Sequence, residues 1–356
     1  MNRLIIADIK SPVIRGKCMG HFPALARDYY MIFRRQVKTL IAGGPVYEDY
    51  FSREWLMRLP YNLYLIEETT LVQKCKYFVN AWHLFRNCVG DVIIVQQGAD
   101  VSFFIACALL YRRFRYNRLY LIQYSTASID GRLQRMIYSL AMRKLNGIIC
   151  PNDEVGQAFN IPYCVVPDYI YVQEEYECVS YERRKYDICM IGHIAEEKGI
   201  VEFLERFAET SYKMIIAGLP HDENIASKLT ALSKSNKNIT LRLGFLSDEE
   251  YKNYLLHSRF GVLNYKGEYS KRSSGVVLDM LFNDVPIIGL DCKALDFVKK
   301  NKLGYIYKDL DAIDLSEIIT QDRYRTYVDN ISCYKKTHAK YSRKLSEFLK
   351  ITNTNK

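Results

Sequence analysis

Short apolar runs alternate with helix-forming segments along most of this chain. Two of the clearest runs are DVIIV at 91–95 and YDICMI at 186–191. Continuous apolar runs of this length are typical of strands that are covered on both faces. Strands that alternate with helices predict a parallel sheet with helices packed against it. The sequence therefore predicts an α/β protein.

A polar and charged segment at 167–184 interrupts this alternation, and a second α/β series follows it. A length of 356 residues is natural for two domains. We predict an N-terminal Rossmann-like domain at 1–166, a linker at 167–184 and a C-terminal Rossmann-like domain at 185–320. A terminal helix at 321–356, either continuous or broken once, is predicted to pack back on the first domain.

The composition of the chain indicates the cellular compartment in which it functions. No run of 18 apolar residues is present, and residues 1–9 resemble a strand rather than a signal peptide. The ten cysteines form no CxxC pair and no cluster with zinc-ligand spacing. We therefore expect reduced thiols, a cytoplasmic location and no bound metal.

A net charge of +10 indicates an anionic partner. Arg112, Arg113, Arg115 and Arg118 follow the apolar run at 101–110. This cluster fits either the solvated end of a buried helix or a patch on an anionic membrane surface. Only residues 111–120 combine basic and aromatic residues as nucleic-acid binding requires, so a nucleic-acid partner is not expected.

The segment 186–203, YDICMIGHIAEEKGIVEF, indicates a phosphate site. Its strand ends at Gly192, and a helix is predicted to begin near Lys198. Glycine lets a ligand approach the backbone, and a helix N-terminus favours an anion. His193 and Lys198 could then donate to a diphosphate. An ordinary strand-to-helix turn with a solvated Lys198 is the alternative.

The segment 271–288 has a similar arrangement. Ser273, Ser274 and Gly275 open a predicted helix, and Asp279 lies about one turn further along. A carboxylate at that position could accept both hydroxyls of a ribose. The alternative is a serine-capped helix with a solvated Asp279.

In order and spacing, these segments resemble the C-terminal domain of GT-B glycosyltransferases, especially the large retaining family four. That family has Gly-Arg and then Glu-Lys-Gly in its first loop, matched by 192–193 and 197–199. It also has two glutamates separated by seven residues, whose positions hold Lys271 and Asp279 here. Segment 239–250 is similar to the family's glycine-containing loop, which implies that Gly244 and Phe245 lie near the nucleotide.

The resemblance implies two Rossmann-like domains facing across a cleft and a metal-independent transfer of a sugar from a nucleoside-diphosphate sugar to an acceptor hydroxyl. Retention of configuration is implied, and Lys198 and His193 would stabilise the departing diphosphate. His21 and Asp100 are candidates for a general base in the first domain. Many members build bacterial surface polysaccharides on lipid-linked acceptors at the inner face of the plasma membrane. Loss of transfer with retained nucleotide or glycan binding is the alternative, because Lys271 reverses the charge of the first glutamate.

Overall fold

The computed structural model describes residues 3–14, 16–18, 22–96, 101–110, 116–167, 170–171, 179–271 and 274–351. The chain forms two compact units. The first contains Met1–Val172 and Lys340–Lys356, and the second contains Gln173–Ala339.

The first unit is built on a seven-stranded sheet in which every neighbouring pair of strands is parallel, in the order β10-β9-β8-β7-β1-β4-β5. A small three-stranded sheet, β3-β2-β6, belongs to the same unit. The strands are β1 Leu4–Ala7, β2 Pro12–Ile14, β3 Lys17–Cys18, β4 Thr39–Gly43, β5 Leu56–Arg58, β6 Leu63–Tyr64, β7 Val92–Val95, β8 Arg118–Ile122, β9 Gly147–Cys150 and β10 Tyr163–Val165.

Helices on both faces bury this sheet in two clusters of apolar side chains. Strands β1 and β7 are buried along their whole length, as expected of strands covered on both faces. The helices of the first unit are α1 Phe22–Phe33, α2 Thr70–Asn87, α3 Val101–Leu109, α4 Arg132–Ala141 and α5 Asp153–Ala158. The C-terminal helix α13 Lys340–Phe348 joins them.

The second unit contains a six-stranded parallel sheet in the order β13-β12-β11-β14-β15-β16. Its strands are β11 Tyr186–Ile191, β12 Met214–Gly218, β13 Ile239–Leu243, β14 Ser258–Leu263, β15 Ile287–Leu290 and β16 Gly304–Tyr307. Its helices are α6 Ile200–Phe207, α7 Glu223–Ser235, α8 Asp248–Leu256, α9 Gly275–Phe282, α10 Asp296–Lys300, α11 Leu315–Ile318 and α12 Gln321–His338.

The order of strands in the second sheet fixes where a ligand can bind. The chain adds β12 and β13 on one side of β11, and it adds β14, β15 and β16 on the other. The connections after β11 and β14 therefore leave the sheet in opposite directions. Open α/β sheets bind ligands at this switch point, beyond the carboxyl ends of the strands.

The terminal segment returns to the first unit later than predicted. The segment from 321 breaks at Ala339 into α12 and α13. Helix α12 packs in the second unit, where Tyr324 and Ile331 enter its two apolar clusters. The return to the first unit begins at Lys340, and Leu345 and Leu349 pack in that unit's core.

The predicted linker also extends too far toward the C-terminus. The Arg184 side chain is buried and donates hydrogen bonds to the backbone oxygens of Ser258 and Asn283, at 2.5 and 2.9 Å. The ring of Tyr181 lies 5.0 Å from that of Tyr324. These packed residues belong to the second unit.

Candidate functional site

Glycines bring the ends of β11 and β12 together at the switch point of the second sheet. Gly192 follows β11 with φ +103°, and Gly218 ends β12 with φ +147°. A Cβ atom on Gly218 would lie 1.7 Å from the backbone oxygen of Gly192. The two chain segments can approach so closely only because residue 218 has no side chain.

Lys198 lies buried at this strand end. It ends a 3-10 turn, Glu196–Lys198, and Gly199 in the left-handed conformation (φ 59°) separates it from α6. The predicted helix start near Lys198 is thus two residues early, because α6 begins at Ile200. The Lys198 residue is 7% exposed, so the alternative of a solvated lysine is wrong.

The Lys198 ammonium group lacks an anionic partner among the described residues. Its Nζ lies 5.2 Å from the centre of the Tyr269 ring and 3.9 Å from where a Cβ of Gly192 would be. Burial lowers the pKa of Lys198 to about 8. A buried charge without a partner is costly, so a site of this kind favours an anion from outside the protein.

The connection between β14 and α9 forms the other side of the switch point. The Tyr269 hydroxyl lies 3.4 Å from Nδ1 of His193, and the Tyr265 hydroxyl lies 2.9 Å from Oγ of Ser274. Partial burial, followed by the nearby charge of Lys198, lowers the pKa of His193. The structure therefore brings His193, Lys198 and Ser274 together through two tyrosines.

Asp279 lies on α9, half-buried against α8. Its Oδ2 accepts a hydrogen bond of 2.9 Å from the Tyr251 hydroxyl. Burial raises the pKa of Asp279 to about 7, and the Tyr251 hydrogen bond opposes this rise. The carboxyl group thus changes its charge close to neutral pH.

The end of β13 adds Gly244 and Phe245. Gly244 has φ +121°, and its N–H donates to the Gly218 oxygen at 2.9 Å, which places it beside the end of β12. The Phe245 side chain is 51% exposed and is the only exposed large apolar side chain in the described part of the second unit. An exposed aromatic ring at a strand end can stack on a planar ligand.

The remaining predicted residues have different outcomes. Lys271 is exposed and pairs with Glu268 at 3.5 Å, within the 3-10 turn Gly267–Lys271. The predictions for His21 and Ser273 lie outside the described residues. The same applies to Asp100 and to the arginines at 112, 113 and 115.

Sequence reasoning missed the tyrosines at this site. Tyr265 and Tyr269 flank Gly267 in the loop after a buried strand, and their rings lie 5.9 Å apart. Two aromatic residues in a short polar loop at the end of a strand were the available signal. Tyr251 gave no signal, because its role depends on the packing of α8 against α9.

No family model and no curated protein matches this sequence. Solved structures do match its fold. A glycosyltransferase from Rickettsia africae is 11% identical, with a TM-score of 0.68 over 100% of this chain and 99% of that chain. A UDP-forming α,α-trehalose-phosphate synthase from Burkholderia xenovorans, solved with glucose-6-phosphate, is 10% identical. Its TM-score is 0.64 over 98% of this chain and 100% of that chain.

A third match is the E. coli trehalose-6-phosphate protein bound with UDP-2-fluoro glucose. It is 10% identical, with a TM-score of 0.60 over 99% of this chain and 100% of that chain. At such low identity the likeness concerns the fold alone. It confirms the predicted architecture, and the chain therefore has the GT-B fold of two Rossmann-like units.

Proposed function

We propose that this protein is a glycosyltransferase that moves a sugar from a nucleoside-diphosphate sugar to an acceptor hydroxyl. The observation that carries the proposal is the buried Lys198 ammonium at the switch point, with no anionic partner among the described residues. A diphosphate supplies the missing negative charge. The E. coli relative in fold, bound with UDP-2-fluoro glucose, supports a donor of this class.

The donor is assigned to the second unit. Lys198 and His193 hold the diphosphate together with the N-terminus of α9 at Ser274 and Gly275. Lys198 and His193 act as catalytic residues by stabilising charge on the leaving diphosphate. Ser273 and His21 stay predictions from the sequence.

The nucleoside is assigned to the other strand ends. Phe245 stacks on the base, while Gly192 and Gly244 leave room for the ligand beside the backbone. Asp279 accepts hydrogen bonds from the ribose hydroxyls through Oδ1, since Oδ2 is occupied by Tyr251.

The finer features rest on the family resemblance. We propose retention of configuration, no metal requirement, and a glycan or lipid-linked glycan acceptor in bacterial surface polysaccharide synthesis at the cytoplasmic side of the membrane. The Burkholderia protein of similar fold was solved in complex with glucose-6-phosphate, so small sugar phosphates are a further acceptor class to test. The acceptor class is therefore a matter for assay.

A nucleotide-binding protein without transferase activity is the second candidate. The observation that favours it is Lys271, which stands at the position of the family's first glutamate and is paired with Glu268. Transfer and hydrolysis assays with mixed nucleotide sugars separate the two candidates. Nucleotide binding with neither turnover supports the second one.

A thermal-shift screen with UDP, GDP, ADP, CMP and their sugars tests the proposal. A ligand that binds only the folded state adds about 2.7 kcal/mol to stability at 100 times its Kd. We expect one nucleotide and its sugar conjugate to raise Tm by several degrees, with the free nucleoside raising it less. If no nucleotide raises Tm, the assignment of the donor site is wrong.

Affinity for a nucleotide sugar is expected to peak between about pH 7 and pH 8. Asp279 must lose its proton to accept two hydroxyls, so affinity rises as pH passes its pKa of about 7. Lys198 must keep its proton to hold the diphosphate, so affinity falls as pH passes its pKa of about 8. Calorimetric titration from pH 6 to pH 9.5 measures this profile.

Two variants show which residue causes the rise and which causes the fall of affinity in that pH profile. Asp279→Asn should flatten the acid limb, and Lys198→Met should flatten the alkaline limb. A nucleotide sugar is the suitable ligand because its diphosphate diester does not titrate in this range. A flat profile in the parent would contradict both assignments.

A further inference from the structure

Exposed apolar side chains concentrate on three helices of the first unit. Of sixteen exposed large apolar side chains among the described residues, fifteen lie in the first unit and nine lie on α2, α3 and α4. The nine are Leu71, Val72, Val79, Trp82, Ile105, Leu109, Leu133, Met136 and Leu140. Single exposed apolar residues are normal, but such a concentration marks an interaction surface.

The three helices form one layer. Their inward side chains pack in the same apolar cluster against one face of the seven-stranded sheet. The Phe85 ring of α2 lies 6.4 Å from Phe103 of α3, and the Phe104 ring of α3 lies 5.1 Å from Tyr138 of α4. The helices therefore lie side by side, and their outward surfaces, which we call the helical face, belong to one side of the unit.

Exposed apolar residues follow helical spacing on two of these helices. On α4, Leu133, Met136 and Leu140 are 64%, 58% and 60% exposed, and they recur at intervals of three and four. On α2, Leu71 and Val79 lie eight residues apart, and Trp82 follows three residues later. Each helix thus presents one apolar stripe outward as well as one inward.

The charge of the helical face is of one sign. None of α2, α3 and α4 contains an aspartate or glutamate, whereas α8 in the second unit has three in its first turn. Lys74, Arg86, Arg132 and Arg135 are exposed on α2 and α4. Apolar stripes bordered by basic residues are the composition of helices that lie in the interface of anionic bilayers.

We propose that the helical face docks on the surface of an anionic lipid bilayer. The apolar stripes would enter the boundary between headgroups and acyl chains, and the basic side chains would lie among the anionic headgroups. Among the described residues, no helix is long and apolar enough to cross a membrane, so the contact is a surface contact. Two copies of this chain pairing through the face would oppose basic residues to basic residues, which disfavours self-association.

Vesicle co-sedimentation tests the proposal. Vesicles of phosphatidylcholine alone are compared with vesicles that contain about 30% phosphatidylglycerol. Both are tested at about 20 mM and about 300 mM salt, because the Debye length is near 10 Å at about 100 mM and electrostatic attraction is screened above that concentration. The parent should sediment with the anionic vesicles, less strongly at high salt, and should stay in solution with neutral ones. Equal sedimentation with both compositions would overturn the proposal.

Two variants separate the apolar and charged contributions. The combined change Leu133→Ser, Met136→Ser and Leu140→Ser should lower partitioning into anionic vesicles about tenfold or more. The combined change Lys74→Glu and Arg132→Glu should lower it at least about 25-fold at low salt. Loss of each basic residue near the surface accounts for about fivefold, and the added carboxylates are repelled by the anionic lipid. Lys234→Glu with Lys237→Glu, on an exposed part of the second unit, is the matched control and should partition as the parent does.

The outcome does not depend on the proposed donor site. Both face variants should keep the parent's thermal shift with a nucleotide, which also shows that they fold. If the serine variant partitions as the parent does, the proposal is wrong. If the parent is a dimer that the serine variant dissociates, and neither binds lipid, the face is a self-association surface and the proposal is overturned.

Discussion

Replacing Lys198 with methionine is expected to raise the activation barrier for sugar transfer by about 2–4 kcal/mol. Negative charge on the departing diphosphate increases toward the transition state, so the loss of the nearby ammonium should lower kcat more than it weakens substrate binding. Methionine keeps an apolar stem of similar volume, which avoids opening a cavity in this buried site. Steady-state kinetics with the nucleotide sugar found in the thermal-shift screen measures the effect.

Lys213→Met is the matched control for this variant. Lys213 is exposed and directly precedes β12. It therefore lies at the amino-terminal ends of the strands, whereas Lys198 lies at their carboxyl ends. The control should keep the parent's kcat. A Lys198→Met protein with unchanged kcat would remove Lys198 from the mechanism.

The same variant should be more stable than the parent in the absence of ligand. Burial lowers the Lys198 pKa from 10.5 to about 8, so the charged form destabilises the folded state at neutral pH. Because the unfolded chain holds this proton up to higher pH, the parent should gain stability as pH rises from about 8 to 10.5. Lys198→Met should have a higher Tm at pH 7 and should lack that gain, which excludes misfolding as the cause of lost activity.

Replacing Lys335 with methionine is expected to destabilise the second unit by about 3–5 kcal/mol. The Nζ of Lys335 on α12 lies 2.6 Å from Oδ1 of Asp284, and both side chains are almost completely buried. The variant leaves the Asp284 carboxylate buried without its ion-pair partner. Chemical denaturation followed by circular dichroism measures the loss of stability.

Two comparisons make this prediction specific to the ion pair. Lys336 is the exposed neighbour on α12, and Lys336→Met should change stability by less than about 0.5 kcal/mol. Asp284 has φ 57°, a conformation that asparagine tolerates, so Asp284→Asn combined with Lys335→Met should recover part of the loss. Equal losses in the single and double variants would show that α12 packing, rather than the pair, carries the effect.

The strands of both sheets could be predicted because their sequences are apolar throughout. The run at 186–191 is β11 to the residue, and DVIIV matches β7 with a difference of one residue. Parallel strands covered on both faces require such runs, and few other structures do. Two α/β units followed from two series of these strands, whereas the GT-B fold was implied by the family resemblance. The sheets and the solved structures of similar fold confirm both.

The boundaries of the C-terminal segment could not be read in the same way. A single helical pattern runs from 321 to 349, and nothing local distinguishes α12 from α13. Their separation depends on long-range contacts. Lys335 meets Asp284 in the second unit, whereas Lys344 donates to the Val165 oxygen in the first.

The sequence indicated which residues to consider for the candidate site, but it did not indicate how deeply they are buried or what they contact. The spacing of Gly192 and Lys198 indicated a phosphate site, but it also fitted a solvated lysine. Burial excludes the solvated lysine, and it depends on long-range packing: the Tyr269 ring, 71 positions away in sequence, lies 5.2 Å from the Lys198 Nζ. The pKa shifts of Lys198 and Asp279 follow from burial in the folded chain and have no local signature in the sequence.

We propose above all that Lys198 holds the diphosphate of a nucleotide. Calorimetric titration at pH 7.5 tests this most directly. The parent and Lys198→Met are each titrated with a nucleoside diphosphate and with its free nucleoside. A charged hydrogen bond contributes about 1.5–3 kcal/mol, so the variant should bind the diphosphate at least about tenfold more weakly than the parent and bind the nucleoside equally well. Unchanged affinity for the diphosphate, or an equal loss for both ligands, would contradict the claim.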